Sequence, residues 1–250
     1  MIKGIAIDAD YLIFECTESR DNKGSYFTAE DGFEDKGYKK PLKPFKDKFK
    51  DSLGYLLKEI FASLPGEFAE ELYIKLCFSD PKGNFRNNLY PEYKANRTGE
   101  RSEEFYRLRK WALKEYGYAK GFEADDYVAY LVRDMGYLGA SMDKDLLGTE
   151  GVWFDTYHSR RYIVRTTKED AAKFVLLQTL AGDPTDNIKG IPRVGMTTAH
   201  KLLDEFGWTM EGAIKAYESK GLTEYDAILN RRLVDMHQYD GKELQLYDYK

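Results

Sequence analysis

Apolar and polar positions alternate with two different periods along the first two thirds of the chain. Short apolar runs over residues 2–7 and 72–78 each end close to an aspartate, which is typical of buried parallel strands. Apolar residues recur every three or four positions between residues 46 and 63 and predict an amphipathic helix. The pattern continues with a predicted helix over 123–135, a strand over 137–142 and a β-rich stretch over 152–164. This alternation predicts an α/β fold with a mostly parallel central sheet.

The last third of the chain has helical spacing almost throughout. We predict helices over residues 168–181, 197–206, 210–219 and 223–236. The chain is therefore expected to divide into an α/β core over residues 1–166 and a helical region over 167–250. Residues 15–44 are polar and punctuated by glycine and proline, which predicts a long connection with a small hairpin around Tyr26 and Phe27.

The composition excludes several classes of protein. The 250 residues carry a net charge of -5, which argues against a protein that coats nucleic acid by bulk charge. No run approaches the ~20 apolar residues that a membrane-spanning helix needs. The two cysteines, Cys16 and Cys77, lie in apolar surroundings and argue against a disulfide framework or a multi-cysteine zinc site. We expect a cytoplasmic protein with no membrane partner.

Residues 82–120 differ from this acidic background, because they contain ten Lys or Arg against five Glu. Five aromatic residues are interleaved with the basic ones: Phe85, Tyr90, Tyr93, Phe105 and Tyr106. Aromatic rings stack on unpaired bases while cations follow the phosphate backbone. The segment therefore suits single-stranded nucleic acid, although packing of the same rings against the core explains them equally well.

Acidic residues stand where predicted strands end and next to predicted helices. Because the carboxyl ends of parallel strands lie along one crevice, we expect ten of these acids to converge. They are Asp8, Asp10, Asp80, Glu123, Asp125, Asp126, Asp143, Asp145, Asp183 and Asp186. Clustered carboxylates repel one another unless cations neutralise them. A ligand set made only of oxygen selects a hard cation, Mg²⁺ or Mn²⁺.

Five segments form an ordered set of motifs. They are IDADYLIF (7–14), FSDPKGNFRNNLYPEYKANR (78–97), FEADD (122–126), SMDKDLL (141–147) and AGDPTDNIKGIPRVGMTTAHKLL (181–203). With this set the chain resembles the 5′-to-3′ exonuclease and flap endonuclease family, and it is most similar to the short bacteriophage exonucleases of that family. The resemblance covers most of the chain and is weakest over residues 15–44.

This resemblance implies an α/β nuclease core, a helical arch over residues 82–120 and two Mg²⁺ ions, with Mn²⁺ as a substitute. The implied metal ligands are Asp8, Asp80, Glu123, Asp125, Asp126, Asp143, Asp145, Asp183 and Asp186. Asp10 stands where many members have Thr or Ser. Lys94 matches the basic residue beside the scissile phosphate, and we assign catalysis to it together with Asp8, Asp80, Glu123 and Asp125. Two metal ions can activate water and stabilise an in-line displacement without a protein nucleophile.

Residues 190–195 resemble the hairpin of a helix-hairpin-helix element over residues 183–206. Glycines let the backbone approach a phosphate, and the following helix presents free N–H groups at its start. In the family this element holds duplex DNA and can hold K⁺ on hairpin carbonyls, although Thr197 replaces the usual Lys here. The expected DNA contacts are Arg86, Lys94, Arg97, Gly190, Arg193, Gly195, Thr197 and Thr198.

These features predict an enzyme, a Mg²⁺-dependent 5′-to-3′ exonuclease or structure-specific 5′ nuclease. Its expected substrates are double-stranded DNA with 5′ ends or flaps, and RNA in RNA–DNA hybrids. We expect a monomer that acts in phage DNA replication and degradation, in the host bacterial cytoplasm if the chain is phage-encoded.

Two alternatives stay open. One is a structure-specific DNA-binding relative that has lost catalysis. The other is a haloacid dehalogenase-like phosphatase, in which Asp8 would be a covalent nucleophile and Asp10 its acid/base. That pattern expects Thr where Leu12 stands. Magnesium-dependent release of nucleotides from DNA separates the three classes.

Overall fold

A five-stranded sheet lies at the centre of the chain, which a computed structural model describes over residues 1–18, 41–97, 99–156 and 162–246. Its strands are β1 (Ile2–Asp8), β2 (Phe68–Cys77), β3 (Tyr137–Ser141), β4 (Gly151–Asp155) and β5 (Ile163–Thr166). They lie in the order β2-β1-β3-β4-β5. The first three neighbouring pairs are parallel, and β5 runs antiparallel to β4. The predicted α/β fold with a mostly parallel sheet is confirmed.

The first two strands differ in burial. β1 is central, and all of its residues except Lys3 are buried. β2 lies at the edge of the sheet, begins at Phe68, and is buried only at Leu76 and Cys77. The prediction of a second buried strand over 72–78 is therefore wrong for most of its length. An edge strand has a neighbour on one side only, and side chains such as Tyr73 remain in solvent.

Helices flank the sheet and make up most of the chain after residue 167. They are α1 (Asp10–Glu18), α2 (Lys43–Ser63), α3 (Phe85–Leu89), α4 (Glu103–Tyr116), α5 (Ala124–Met135), α6 (Lys168–Ala181), α7 (Met196–Phe206), α8 (Met210–Glu218) and α9 (Glu224–Val234). Each helix predicted individually from the spacing is confirmed to within three residues at either end. α2 begins earlier than predicted because proline at residue 44 suits the first turn of a helix.

Helix α1 was not predicted from the sequence. Its apolar residues Leu12, Ile13 and Cys16 are buried at helical spacing. They follow β1 after a single intervening residue, so the apolar pattern alone does not separate them from the strand. The predicted hairpin around Tyr26 and Phe27 lies outside the described residues.

Two large hydrophobic clusters lie in the two predicted regions. The first contains Ile7, Phe49 and Leu108 and joins β1 to α1, α2 and α4. The second contains Leu180 and Leu203 and joins α6 to the helices that follow it. A smaller cluster combines residues of both regions, and the boundary at 166/167 stays a prediction. Among the residues described, no helix has the length and apolarity that crossing a membrane requires.

A short antiparallel ribbon that the sequence did not predict separates α6 from α7. β6 (Gly182–Asp183) pairs with β7 (Ile188–Lys189), and a single 3₁₀ turn (Pro184–Asp186) joins them. Residues 190–195 then lead directly into α7. The helix-hairpin-helix element over 183–206 stays a prediction.

Candidate active site

An acidic cleft opens at the carboxyl ends of β1 and β3. Asp8 is the last residue of β1, Asp143 follows β3 by two residues, and Asp125 lies in the first turn of α5. Because β1 and β3 are parallel neighbours, their ends meet at one edge of the sheet. The cleft has a volume of about 450 Å³, and the acids that line it are Asp8, Asp10, Glu123, Asp125 and Asp143. An adjoining pocket adds Asp145 and Asp186.

The carboxylates of the cleft repel one another. Burial, together with the charges of Asp10 and Asp143, raises the pKa of Asp8 to about 7. Burial and the charge of Asp143 also raise the pKa of Asp145 to about 7. Burial with the charges of Asp8 and Asp143 holds the pKa of Asp125 well above its usual range. The cleft therefore favours either protons or a bound cation.

Basic side chains meet the acids at one side of the cleft. Lys94 Nζ lies 2.5 Å from Glu123 Oε1 and 3.5 Å from Asp186 Oδ2. Arg97 Nη2 lies 2.5 Å from Asp186 Oδ1. The Tyr93 hydroxyl is 2.6 Å from Glu123 Oε2 and 3.0 Å from Asp186 Oδ2. Burial opposes ionisation of Glu123. The charges of Lys94 and Arg86 nevertheless lower the Glu123 pKa below its ordinary value.

The backbone holds Lys94 at this position. Lys94 has φ 56°, in the left-handed region that few residues other than glycine adopt. Its N–H donates a hydrogen bond of 2.9 Å to the Asp186 carbonyl, and Asn187 Nδ2 donates to the Glu92 carbonyl at 2.7 Å. These bonds join the PEYKANR segment to the turn after β6. Backbone strain of this kind occurs where the surrounding structure fixes a functional side chain.

Two further polar side chains contact the acids. Lys144 Nζ lies 3.0 Å from Asp183 Oδ2 and 3.5 Å from Asp145 Oδ1. Gln178 Nε2, from α6, donates to Asp145 Oδ1 at 2.5 Å. Neither residue was predicted from the sequence. The sequence position of Lys144 could have indicated its contact with the acids, because it stands between the two acids of SMDKDLL. No local pattern indicates Gln178, since it lies 33 positions from Asp145.

The donor chemistry of the cleft suits a hard divalent cation. The acids of the cleft offer carboxylate oxygens, which are the ligands that hard divalent cations prefer. Asp125 Oδ1 is buried with no hydrogen-bond partner in the described part of the chain. Within those same described residues, no three acidic, histidine or cysteine side chains already stand in ligating positions around one point. The ammonium groups of Lys94 and Lys144 contact acids of the set, so a bound cation requires these side chains to rearrange.

Two of the ten predicted acids contact backbone amides at the loop that follows β2. Asp80 accepts hydrogen bonds from the Lys82 and Gly121 N–H groups, at 2.8 and 2.7 Å. Asp10 lines the cleft but accepts from the Ser79 N–H at 2.9 Å. Asp80 is absent from the cleft lining, and its carboxylate holds this loop.

The structure corrects the expected DNA contact at Arg86. The side chain is 3% exposed, and Nη1 and Nη2 donate to Asp126 Oδ2 and Oδ1 at 2.8 and 2.7 Å. Its Nε donates to the Leu233 carbonyl at 2.7 Å, and Asp126 also accepts from the Glu123 N–H at 3.0 Å. Because a buried charge is costly unless it is paired, Arg86 and Asp126 form a structural anchor between α5 and the end of α9. Both oxygens of the Asp126 carboxylate, which was predicted to bind a metal ion, accept these bonds.

In the predicted hairpin Pro192, Arg193 and Gly195 are exposed, whereas Ile191 and Val194 are buried in the second hydrophobic cluster, and the two glycines differ. Exposed members of the expected DNA contacts are Arg97, Arg193, Gly195, Thr197 and Thr198. A Cβ at Gly190 would lie 2.2 Å from the Ala181 carbonyl carbon and 2.4 Å from the Gly182 nitrogen, so the fold itself requires glycine there. A Cβ at Gly195 would meet nothing within 4 Å. The packing of the chain does not explain glycine at residue 195.

The aromatic residues of the basic segment are also divided by burial. Phe85 and Tyr93 are 5% and 4% exposed. Phe105 packs against the first hydrophobic cluster. Tyr106 is 58% exposed. Packing therefore explains Phe85 and Phe105, and Tyr106 presents the ring that is most available for stacking among these four.

No family model matches the sequence. Its relatives include a DNA polymerase I of Rhizobium leguminosarum, 30% identical over 176 residues that cover 63% of this chain and 17% of the polymerase. A 5′-3′ exonuclease of Buchnera aphidicola is 28% identical over 197 residues, which cover 71% of this chain and 67% of that protein. The flap endonuclease of Escherichia phage T5 is 28% identical over 197 residues, 63% of this chain and 67% of that protein.

Solved structures show the same fold. The phage T5 D15 protein co-crystallised with metal ions has a TM-score of 0.66 and 22% identity, covering 93% of this chain and 89% of that one. A D15 flap endonuclease complex with DNA and metal ions has a TM-score of 0.64 and 22% identity over the same shares. The chain thus has the fold of the phage T5 5′-exonuclease. It resembles the 5′-3′ exonuclease and flap endonuclease family in sequence, which confirms the resemblance found from its motifs.

Proposed function

We propose that this chain is a divalent-metal-dependent 5′ nuclease, which hydrolyses phosphodiester bonds of DNA at 5′ ends and 5′ flaps by a two-metal mechanism. The observation that carries the proposal is the convergence of Asp8, Asp125 and Asp143 at one sheet edge, beside the ammonium group of Lys94. Acids whose charges repel one another do not attract a phosphate by themselves, but they bind cations that do. The relatives named 5′-3′ exonuclease and flap endonuclease support the same activity.

The acids that would hold Mg²⁺, or Mn²⁺ in its place, lie in or beside the cleft. They are Asp8, Glu123, Asp125, Asp143, Asp145, Asp183 and Asp186. When bound, two such ions supply an activated water and stabilise the attacking and leaving oxygens of an in-line displacement. Asp80 supports this site indirectly, by holding the loop after β2, and Asp126 supports it by holding the N–H of Glu123.

Lys94 has the position of an electrostatic catalyst. Its ammonium group is held at the cleft by a left-handed backbone and by Glu123 and Asp186. A substrate phosphate that enters the cleft would exchange with these carboxylates as the partner of Lys94. A cation beside the bound phosphate would stabilise the negative charge that develops on the phosphoryl oxygens in the transition state.

The hairpin and the basic segment would bind different parts of the substrate. Residues 190–195 would hold the duplex through backbone N–H groups, with K⁺ on the hairpin carbonyls, while residues 82–110 receive the single-stranded 5′ end. Gly195 supports this part of the proposal, because an open, side-chain-free backbone allows a phosphate to approach closely. Gly195→Val should therefore weaken binding of a flapped duplex more than cleavage of a single-stranded oligonucleotide.

The decisive experiment uses a 5′-flap duplex labelled in turn at its 5′ and its 3′ end, with Mg²⁺ or with EDTA. The proposal expects Mg²⁺-dependent release of the 5′ label as short products, and no release in EDTA. Early loss of a 3′ label as a mononucleotide contradicts the 5′-to-3′ polarity. Binding without cleavage indicates an inactive DNA-binding relative, and hydrolysis of p-nitrophenyl phosphate alone indicates a phosphatase.

The proposal extends to RNA strands in RNA–DNA hybrids, since the phosphodiester chemistry is the same in both. A monomer with these activities would serve in phage DNA replication and degradation. Comparing cleavage rates of matched DNA duplexes and hybrids, with the 5′ strand as the only difference, tests this extension. A hybrid that binds but is not cut limits the substrate to DNA.

A further inference from the structure

Lys144 places a cation among acids that the proposed function assigns to metal binding. Its side chain is 62% exposed, whereas the side chains of Asp183 and Asp145, which its Nζ contacts, are only 4% and 14% exposed. Most of the lysine side chain therefore lies in solvent, and its Nζ reaches two carboxylates that are largely shielded from solvent. Elsewhere in the cleft, Lys94 is buried along most of its length.

The two acids are held in place independently of Lys144. The Asp145 N–H donates to Asp143 Oδ1 at 2.9 Å, and Gln178 Nε2 donates to Asp145 Oδ1 at 2.5 Å. The Thr185 N–H donates to Asp183 Oδ1 at 2.8 Å. None of these bonds involves Lys144. Lys144 is thus the exposed member of the group, and its ammonium group lies where a small cation could lie between the two acids.

We propose that Lys144 is a tethered competitor for the divalent cation at Asp145 and Asp183. It neutralises this pair in the metal-free chain, must withdraw when a metal ion binds there, and so lowers the affinity of the pair for that ion. The inference rests on the proposed function in one respect, that the pair binds a metal ion. A substrate phosphate offers the withdrawn ammonium group a new partner, so DNA and metal binding should reinforce each other.

The test is calorimetric titration of the full chain with MnCl₂ alone, without DNA and at constant ionic strength. Lys144→Met should bind Mn²⁺ ~10-fold more tightly than the wild type at this step, because a positive charge next to the ion has been removed. Lys144→Arg keeps the charge and should stay close to the wild type. The matched control is Lys173→Met, which removes an exposed lysine paired with Glu169 on α6.

Three outcomes overturn the inference. They are unchanged Mn²⁺ affinity in Lys144→Met, weaker affinity in that variant, and an equal gain in Lys173→Met, which would reflect net charge alone. Asp145→Asn separates this failure from failure of the proposed function. If Asp145→Asn leaves every Mn²⁺ binding step of the wild type unchanged, the pair holds no metal and the proposed two-metal site itself is wrong at these residues. Thermal unfolding of each variant checks that the fold is intact.

Discussion

Asp125 and Asp126 are neighbours in the first turn of α5, yet they have opposite environments. Asp126 is fully buried, and both of its oxygens accept hydrogen bonds from Arg86. Asp125 faces Asp8 and Asp143, and its buried Oδ1 has no partner among the residues the structure describes. Burial is common to the two sites. What separates Asp126 from Asp125, which we propose as a metal ligand, is whether a basic side chain is hydrogen-bonded to the carboxylate.

This difference predicts opposite responses to mutation. The anchor of Arg86 and Asp126 is complete, so removing one member leaves a buried charge without compensation. The acids of the cleft still repel one another, so removing one carboxylate relieves repulsion and should lower mainly the cleavage activity. Loss of an anchor residue should therefore appear mainly in stability, and loss of a cleft acid mainly in activity, although both involve the same turn of α5.

The largest expected effect is on cleavage by the cleft. Asp143→Asn combined with Asp145→Asn should reduce Mg²⁺-dependent hydrolysis of a 5′-flap duplex by ~10³-fold or more, about 4 kcal/mol, because the cation site is lost. DNA affinity should stay equal or rise, since two charges that repel phosphate are gone. Initial rates and fluorescence anisotropy check the two halves. Hydrolysis retained above a few per cent removes these residues from the site.

Breaking the anchor should have the next largest effect, this time on stability. Arg86→Met should lower the free energy of unfolding by about 3–5 kcal/mol, because Asp126 stays buried without its partner. Adding Asp126→Leu should recover most of this loss, apart from about 1 kcal/mol for the lost hydrogen bond to the start of α5. Urea denaturation measures both variants. A double variant less stable than Arg86→Met would show that the pair does not act as a unit.

Lys94→Ala tests the cation that faces the cleft. We expect turnover to fall ~10²-fold with a small change in DNA affinity, because one electrostatic contact of the transition state is lost. Single-turnover cleavage at saturating enzyme measures the chemical step. Lys82→Ala, at an exposed lysine of the same basic segment, is the matched control. A loss confined to binding would make Lys94 a positioning residue for DNA.

The last expected effect is the pH dependence of stability without metal. The pKa of Asp8 is about 7 in the folded chain and near 4 when unfolded, so folding is favoured while this group keeps its proton. The stability contributed by Asp8 should fall as pH rises from about 4 to about 7, by up to about 1.4 kcal/mol per pH unit. Asp8→Asn should therefore gain stability over the wild type across this range.

Urea denaturation in EDTA at several pH values measures this difference. Saturating Mg²⁺ should reduce it, because the bound cation replaces the proton as the partner of the carboxylate. If the advantage of Asp8→Asn shrinks as pH rises, Asp8 is not under the repulsion that defines the cleft, and the contrast with Asp126 loses its basis.

Much of the site was predictable because strands and helices have local periods. The position of Asp8 and Asp143 just after apolar runs predicted that both lie at one sheet edge, and the structure places both in the cleft. The site prediction that failed concerns the pairing of charges. Arg86 stands in a basic segment and was assigned to DNA, but its partner Asp126 is 40 positions away. No local pattern shows which of two adjacent acids turns towards such a partner.

By itself the sequence determined the alternation of strands and helices, the mostly parallel sheet, and the acids that follow β1 and β3, since these depend on spacing and side-chain polarity over a few residues. Only the tertiary structure decided which acids share the cleft, that Arg86 is buried against Asp126 and the carbonyl of Leu233, and that Lys144 reaches Asp183. Desolvation and charge pairing depend on every neighbour in space, and most of those neighbours are distant along the chain.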